Sequence, residues 1–112
     1  PQYALKLNCN GAFSECDRHE GEGMVARDAQ GWVTMATSIN FQYIMDPPTM
    51  EALAILQAVK LASGNGWSRI VIEVYAEVVI FEIRNETLCL TSYGNIVEEI
   101  KALVISFVSC HF

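Results

Sequence analysis

Tyr3, Leu5, Leu7 and Cys9 alternate with Ala4, Lys6, Asn8 and Asn10, a period of two that predicts a strand with one buried face. Asn10-Gly11 then offers a turn or a bulge. A polar loop from Ser14 to Glu22 leads to a second short strand near Gly23 to Arg27. Asp28-Ala29-Gln30-Gly31 reads as a tight turn, and Trp32 to Phe41 alternates as a third strand. Three strands joined by short connections predict an antiparallel meander.

The pattern changes at Asp46-Pro47-Pro48. From Thr49 to Gly64 the chain is rich in Ala, Leu and Gln, and the prolines before it and Gly64-Asn65-Gly66 after it bracket a helix. Nearly every face of that helix is apolar, so it is expected to be covered on most sides as a central helix. Ile70-Val71-Ile72-Glu73-Val74 is a β-branched run that predicts a strand buried on both faces. Ala76 to Arg84 has the spacing of a short amphipathic helix through Val79, Ile80 and Ile83, with Glu77 at its start as a partner for the helix dipole. Asn85 to Tyr93 is a loop, Ile96, Val97, Ile100 and Leu103 mark another helix, and Val104 to His111 reads as a final strand.

Composition narrows what such a chain can be. At 112 residues it holds one domain, and 52% hydrophobic residues supply a core. With only 18% charged residues, an exposed apolar patch is expected, the kind of surface that contacts another chain or a missing part of the same one. A net charge of −6, with seven scattered Lys and Arg, argues against a strong general affinity for a phosphate backbone. No signal peptide or membrane-length apolar run is present, which points to an intracellular domain away from membranes. Cys9, Cys16, Cys89 and Cys110 form no C-x-x-C pair, so buried free thiols are expected rather than a zinc site or disulfides. His19, beside Asp17 and Glu20, reads as a solvated loop residue, and His111 has no partner base or nucleophile in the sequence.

The element order β, β, β, α, β, α, α, β, closed by right-handed crossovers, predicts an α/β (α+β) mixed five-stranded sheet with helices packed on it. The phrases Lys6-Leu7-Asn8-Cys9-Asn10-Gly11-Ala12-Phe13, Gly21-x-Gly23-x-Val25-x-Arg27-Asp28-x-x-Gly31, Glu51-Ala52-Leu53-Ala54 and Ile72-Glu73-Val74-Tyr75-Ala76 give a closer comparison. In order and spacing they resemble the plant retroelement-type RNase H-like family, also called reverse-transcriptase-like, over essentially the whole chain. The resemblance implies an RNase H-like fold over residues 1–112, with strand order 3-2-1-4-5 and without the family's last helix.

It also implies a chemistry. Active members of the family cut the RNA strand of an RNA–DNA hybrid with two divalent metal ions held by carboxylates, which polarise the attacking water and stabilise the leaving oxygen. Of the matching positions only Glu51 keeps its acid. Asn10 and Tyr75 stand where the family has aspartates, and the family's last carboxylate lies past a point corresponding to Phe112. Glu73, two residues before Tyr75, is read as a neighbour of the site rather than a replacement ligand. A carboxylate in the first turn of an apolar helix, as Glu51 is on these boundaries, also has the plainer reading of a helix-dipole partner.

The expected function is therefore a degenerate, catalytically inactive RNase H-like domain that serves as a binding or protein-interaction module in a retroelement-derived or larger host protein. It would need no cofactor; Mg²⁺ or Mn²⁺ would enter only with residual nuclease activity. Two alternatives stand beside it: an active hybrid-specific ribonuclease, and nucleic-acid binding without cleavage, which the acidic balance makes weak. Asn10, Glu51 and Tyr75 are expected to converge at the carboxyl end of the central strands. A homodimer is expected through the final strand, whose edge and neighbouring apolar surface the missing helix would leave uncovered.

Overall fold

Leu5, Leu7 and Cys9 are buried and Lys6 and Asn8 only half-buried, so the predicted alternation sets the two faces of the first strand. The computed structural model describes residues 5–14, 19–41 and 46–112. Within them lie β1 (Leu5–Ser14), β2 (His19–Asp28), β3 (Val33–Phe41), α1 (Pro47–Gly64), β4 (Arg69–Val74), α2 (Glu77–Arg84), α3 (Gly94–Val104) and β5 (Ser109–His111). The strands form one mixed sheet in the order β3-β2-β1-β4-β5. β1–β2 and β2–β3 pair antiparallel, whereas β1–β4 and β4–β5 pair parallel across the helical crossovers.

The meander is longer than its sequence pattern suggests. β1 runs through Asn10-Gly11 without turn or bulge, pairing continuously with β2 from Leu5↔Asp28 to Ser14↔His19. The polar stretch assigned to a loop is β2 from His19 onward, so His19 belongs to a strand. Cross-strand pairing decides here, because Gly21 and Gly23 have weak intrinsic strand preference and are held by the ladders to β1 and β3. The irregularity lies elsewhere, in the β2–β3 register between Ala26 and Arg27, where the Thr34 hydroxyl donates to the Ala26 carbonyl at 3.2 Å. At the predicted tight turn the Asp28 carboxylate accepts the backbone N–H groups of Gln30 and Trp32, each at 3.0 Å, and Gly31 takes φ +89°.

α1 begins at Pro47, two residues earlier than the composition suggests, with Asp46 as N-cap and proline in the first helical positions. Ala52, Ala54, Ile55, Leu56, Ala58, Val59 and Ala62 are all buried, because the helix lies against β1 and β4 and is flanked by α3 and α2. Leu7, Ile55, Val59, Ile70, Ile72, Val79, Val97 and Ile100 are fully buried between sheet and helices. Each such side chain contributes roughly 1.5–3 kcal/mol through burial.

The predicted final strand needs the largest correction. α3 continues to Val104, the chain turns through residues 105–108, and β5 is only Ser109–His111. The Ser106 and Phe107 N–H groups donate back to the Leu103 and Val104 carbonyls, while Leu103, Val104 and Phe107 pack on the core. A continuous apolar run does not distinguish a buried helix end from a strand, and here it was divided between the two.

Cys9 is buried, Cys89 is a buried free thiol and Cys110 a half-buried one; Cys16 lies outside the described residues. Burial pushes the Cys110 thiol up to about 11, so at neutral pH it stays protonated and a poor nucleophile. Among the described residues no helix is long and apolar enough to cross a membrane. Trp32, Tyr75, Val78, Phe81, Leu88, Leu90, Ile105 and Val108 are large apolar or aromatic side chains exposed to solvent.

Candidate functional site

The parallel register of the two central strands assembles the site. Asn8 pairs with Glu73 and Cys9 with Val74, so one step further β1 carries Asn10 level with Tyr75 as β4 ends. The Asn10 side chain lies outside the described side chains. Tyr75, just past the end of β4, stands 95% exposed.

Glu51 reaches this end of the sheet from α1. It shares a depression of about 380 Å³ with Tyr75, Glu77, Pro47, Pro48 and Val78. With the helix starting at Pro47, Glu51 is past the first turn, and no acidic residue lies in that turn. The dipole reading therefore loses its ground, since the effect falls off within the first turn. Glu77 does occupy the first turn of α2, as its dipole role requires, and it also lines the depression.

Burial raises the Glu51 pKa above the ordinary carboxylate value by penalising the charged form. A raised folded-state pKa contributes stability that is present below the unfolded pKa and is lost as pH rises through the folded one. Glu51→Gln, which resembles the protonated form, should therefore unfold at a slightly higher temperature than the parent at pH 7. The gain should stay within about 0.5 kcal/mol, because the group is partly exposed and solvent screens it. Thermal melts at pH 7 and pH 4 check this, and the difference should vanish at the lower pH.

Glu73 points to the sheet face opposite α1 and is tied there. Lys6 Nζ lies 2.8 Å from one carboxylate oxygen, and Asn8 donates through Nδ2 to the other at 2.8 Å. The Lys6 hydrogen bond first, and then the Asn8 one, hold its pKa below the ordinary value. With that sign, its contribution is present at neutral pH and is lost as pH falls through the lowered pKa. Sequence reading did not single out Lys6 and Asn8 as partners of Glu73. Their alternation with Leu5, Leu7 and Cys9 placed them on one face of β1, but pairing them with a residue 65 positions away required the β1–β4 register.

A larger groove of about 660 Å³ adjoins the depression and shares Tyr75 and Glu77 with it. Its lining includes Asn8 of β1, Ile72, Glu73 and Val74 of β4, Phe81 and Arg84 of α2, and Phe112. Arg84 donates through Nη2 to the Phe112 carbonyl at 2.6 Å, which fastens the chain after β5 to α2.

Comparisons with known proteins agree with this architecture. The family model described as "Reverse transcriptase-like" matches residues 8–112. No curated protein sequence is significantly similar to the chain. Among solved structures, the RNase H1 of the halophilic archaeon Halobacterium salinarum NRC-1 superposes with a TM-score of 0.80 at 13% identity, covering 96% of this chain and 81% of that one. The N-terminal RNase H domain of a Mycobacterium tuberculosis protein, solved as a fusion with maltose-binding protein, gives 0.81 at 12% identity over 98% and 80% of the two chains. A foamy viral protease-reverse transcriptase, solved in complex with an RNA/DNA hybrid, gives 0.74 at 16% identity over 98% of this chain and 17% of that one. The sheet order of this chain is that of an RNase H-like fold.

Proposed function

Because the chain belongs to the reverse transcriptase-like family and has the RNase H-like fold, we propose that it is a member in which two-metal hydrolysis has been lost and the domain serves as a binding module. The observation that carries the reading is the donor set at the carboxyl end of the central strands. A pair of divalent ions needs several charged oxygens converging on one point. Position 75, level with Asn10, carries a solvent-exposed phenol instead of a carboxylate. Neutral phenols and carboxamides supply no charge to offset a hard dication. Glu73 is already engaged by Lys6 and Asn8, and no group of three His, Cys, Asp or Glu side chains among the described residues is arranged to hold a metal. Glu51 and Glu77 alone are a poor match for two ions.

The binding surface is the aromatic and acidic ground around Tyr75, and the partner is a protein. A homodimer is one form of this, with β5 and the surface beside it as the contact. Nucleic-acid binding is the weaker reading. The foamy viral enzyme was solved with an RNA/DNA hybrid, but a net charge of −6 and carboxylates at both depressions repel a phosphate backbone.

A labelled RNA–DNA hybrid tests the loss of catalysis. Incubated with the protein and millimolar Mg²⁺ or Mn²⁺, it should remain uncut, with product no higher than in a protein-free control. Metal-dependent cutting that disappears in Glu51→Gln would mean the site still works and the proposal fails.

A further inference from the structure

We propose that the outer edge of β3 pairs antiparallel with β3 of a second copy of this chain, joining the two sheets across a two-fold axis at Thr37. β3 forms the margin of the sheet opposite β5, with β2, β1 and β4 between them, and among the described residues only β2 pairs with it. Its open edge is set by the order of the strands. The contact is separate from the one at β5 and does not depend on whether hydrolysis is lost. An open edge displays unpaired N–H and C=O groups, and proteins blunt such edges with charge, proline, bulges or short strands. The nine residues of β3 include no charged residue, proline or glycine, and they exceed the usual strand length of about 5–6. The one irregularity, opposite Ala26 and Arg27, lies at the start of the strand; from Met35 to Phe41 the pairing with β2 is regular.

The strand is its own complement, which selects a second copy as the occupant. With the axis at Thr37, that residue stands level with itself, Ala36 with Ser38, and Met35 with Ile39, so small meets small and apolar meets apolar. Residues directly opposite in an antiparallel pair share a face, and Thr–Thr and apolar pairs stabilise the ladder whereas like charges weaken it. Moving the axis one residue either way sets Thr37 against Met35 or Ile39 instead. Charges on the next strand fit the same direction. Across β2, Arg27 is level with Val33, and Glu22 and Glu20 with Ile39 and Phe41. The Asp28 carboxylate beside Arg27 is taken up by its own turn, accepting from the Gln30 and Trp32 N–H groups. Antiparallel pairing keeps the two glutamate ends apart and brings each toward the other copy's Arg27. The net charge of −6 on each copy opposes approach at longer range, so association should tighten as salt screens it. Because the contact is isologous, it closes at a dimer.

Light scattering of the 112-residue chain over a range of concentrations and salt tests the proposal. A reversible dimer is expected at high micromolar concentration, tighter as salt is raised. Thr37 is exposed, and Thr37→Lys and Thr37→Asp each set like charges opposite one another at the axis. Each should weaken the dimer by about tenfold or more, whereas an equimolar mixture of the two should associate again, a recovery that misfolded variants cannot give. Amide exchange of the parent should slow within residues 35–39 as concentration rises, a readout that needs no variant. A parent that stays monomeric overturns the proposal, as does a mixture that associates no better than either variant alone. A dimer indifferent to both Thr37 substitutions, with exchange at 35–39 unchanged, also overturns it. That last result would leave a homodimer through β5 standing, so the two contacts fail separately.

Discussion

The double substitution Asn10→Asp with Tyr75→Asp should make the protein's stability depend on divalent metal, which the parent's should not. One added carboxylate would lie within β1, level with the other just past the end of β4, and the latter shares a depression with Glu51, whose charged form burial already disfavours. In EDTA, their mutual repulsion should lower the thermal midpoint of the variant below that of the parent. A metal that binds only the folded state then stabilises it by RT ln(1 + [L]/Kd), about 2.7 kcal/mol at a metal concentration one hundred times Kd. Paired melts in EDTA and in increasing Mg²⁺ or Mn²⁺ measure this without requiring turnover. A parent that gains the same metal-dependent stability, and loses it in Glu51→Gln, would mean that its present donor set holds the ion and that the site was judged lost too early. Hybrid cleavage by the double variant would further show that Glu51 and the two restored positions suffice for chemistry.

Gly94→Ala should be among the most destabilising single changes outside the hydrophobic core, by about 1–3 kcal/mol through overpacking. Gly94 is buried at the start of α3, and a Cβ placed there would lie 2.3 Å from the Cys89 carbonyl oxygen and 3.1 Å from its carbonyl carbon. The obstacle is backbone, and that backbone is held. The Cys89 N–H donates to the Glu98 carboxylate at 3.2 Å, Lys101 donates to the Thr87 carbonyl at 3.0 Å, and Lys101 also bridges to Glu98 at 3.0 Å. The loop cannot retreat without breaking this tie between residues 87–89 and α3. For a domain of about this size each kcal/mol lowers the thermal midpoint by roughly 4–8 °C, so the loss is measurable by calorimetry. Gly64→Ala is the control: nothing lies within 4 Å of its would-be Cβ, and the change should be neutral to about 1 kcal/mol stabilising. Equal melts for Gly94→Ala and the parent would show that the Cys89 loop yields easily.

Local pattern determined much of this protein. The alternation Leu5, Leu7, Cys9 marked a half-buried strand, the Ala- and Leu-rich run after Pro47-Pro48 marked the central helix, and Ile70 to Val74 marked a buried strand, because periodicity and start and stop signals act over a few residues. The family phrases likewise placed Glu51, Asn10 and Tyr75 on α1, at β1, and at the end of β4. What only the tertiary structure decided depends on partners distant in sequence. The extension of β1 and β2 through polar and glycine residues follows from cross-strand ladders, and the division of 104–111 between helix end, turn and a three-residue strand follows from packing under α3. The capture of Glu73 by Lys6 and Asn8 and the emergence of Glu77 beside Glu51 follow from the parallel register and the seating of α2. Register and helix placement are set by the free energy of the whole packed core, so no short stretch of the chain carries them alone.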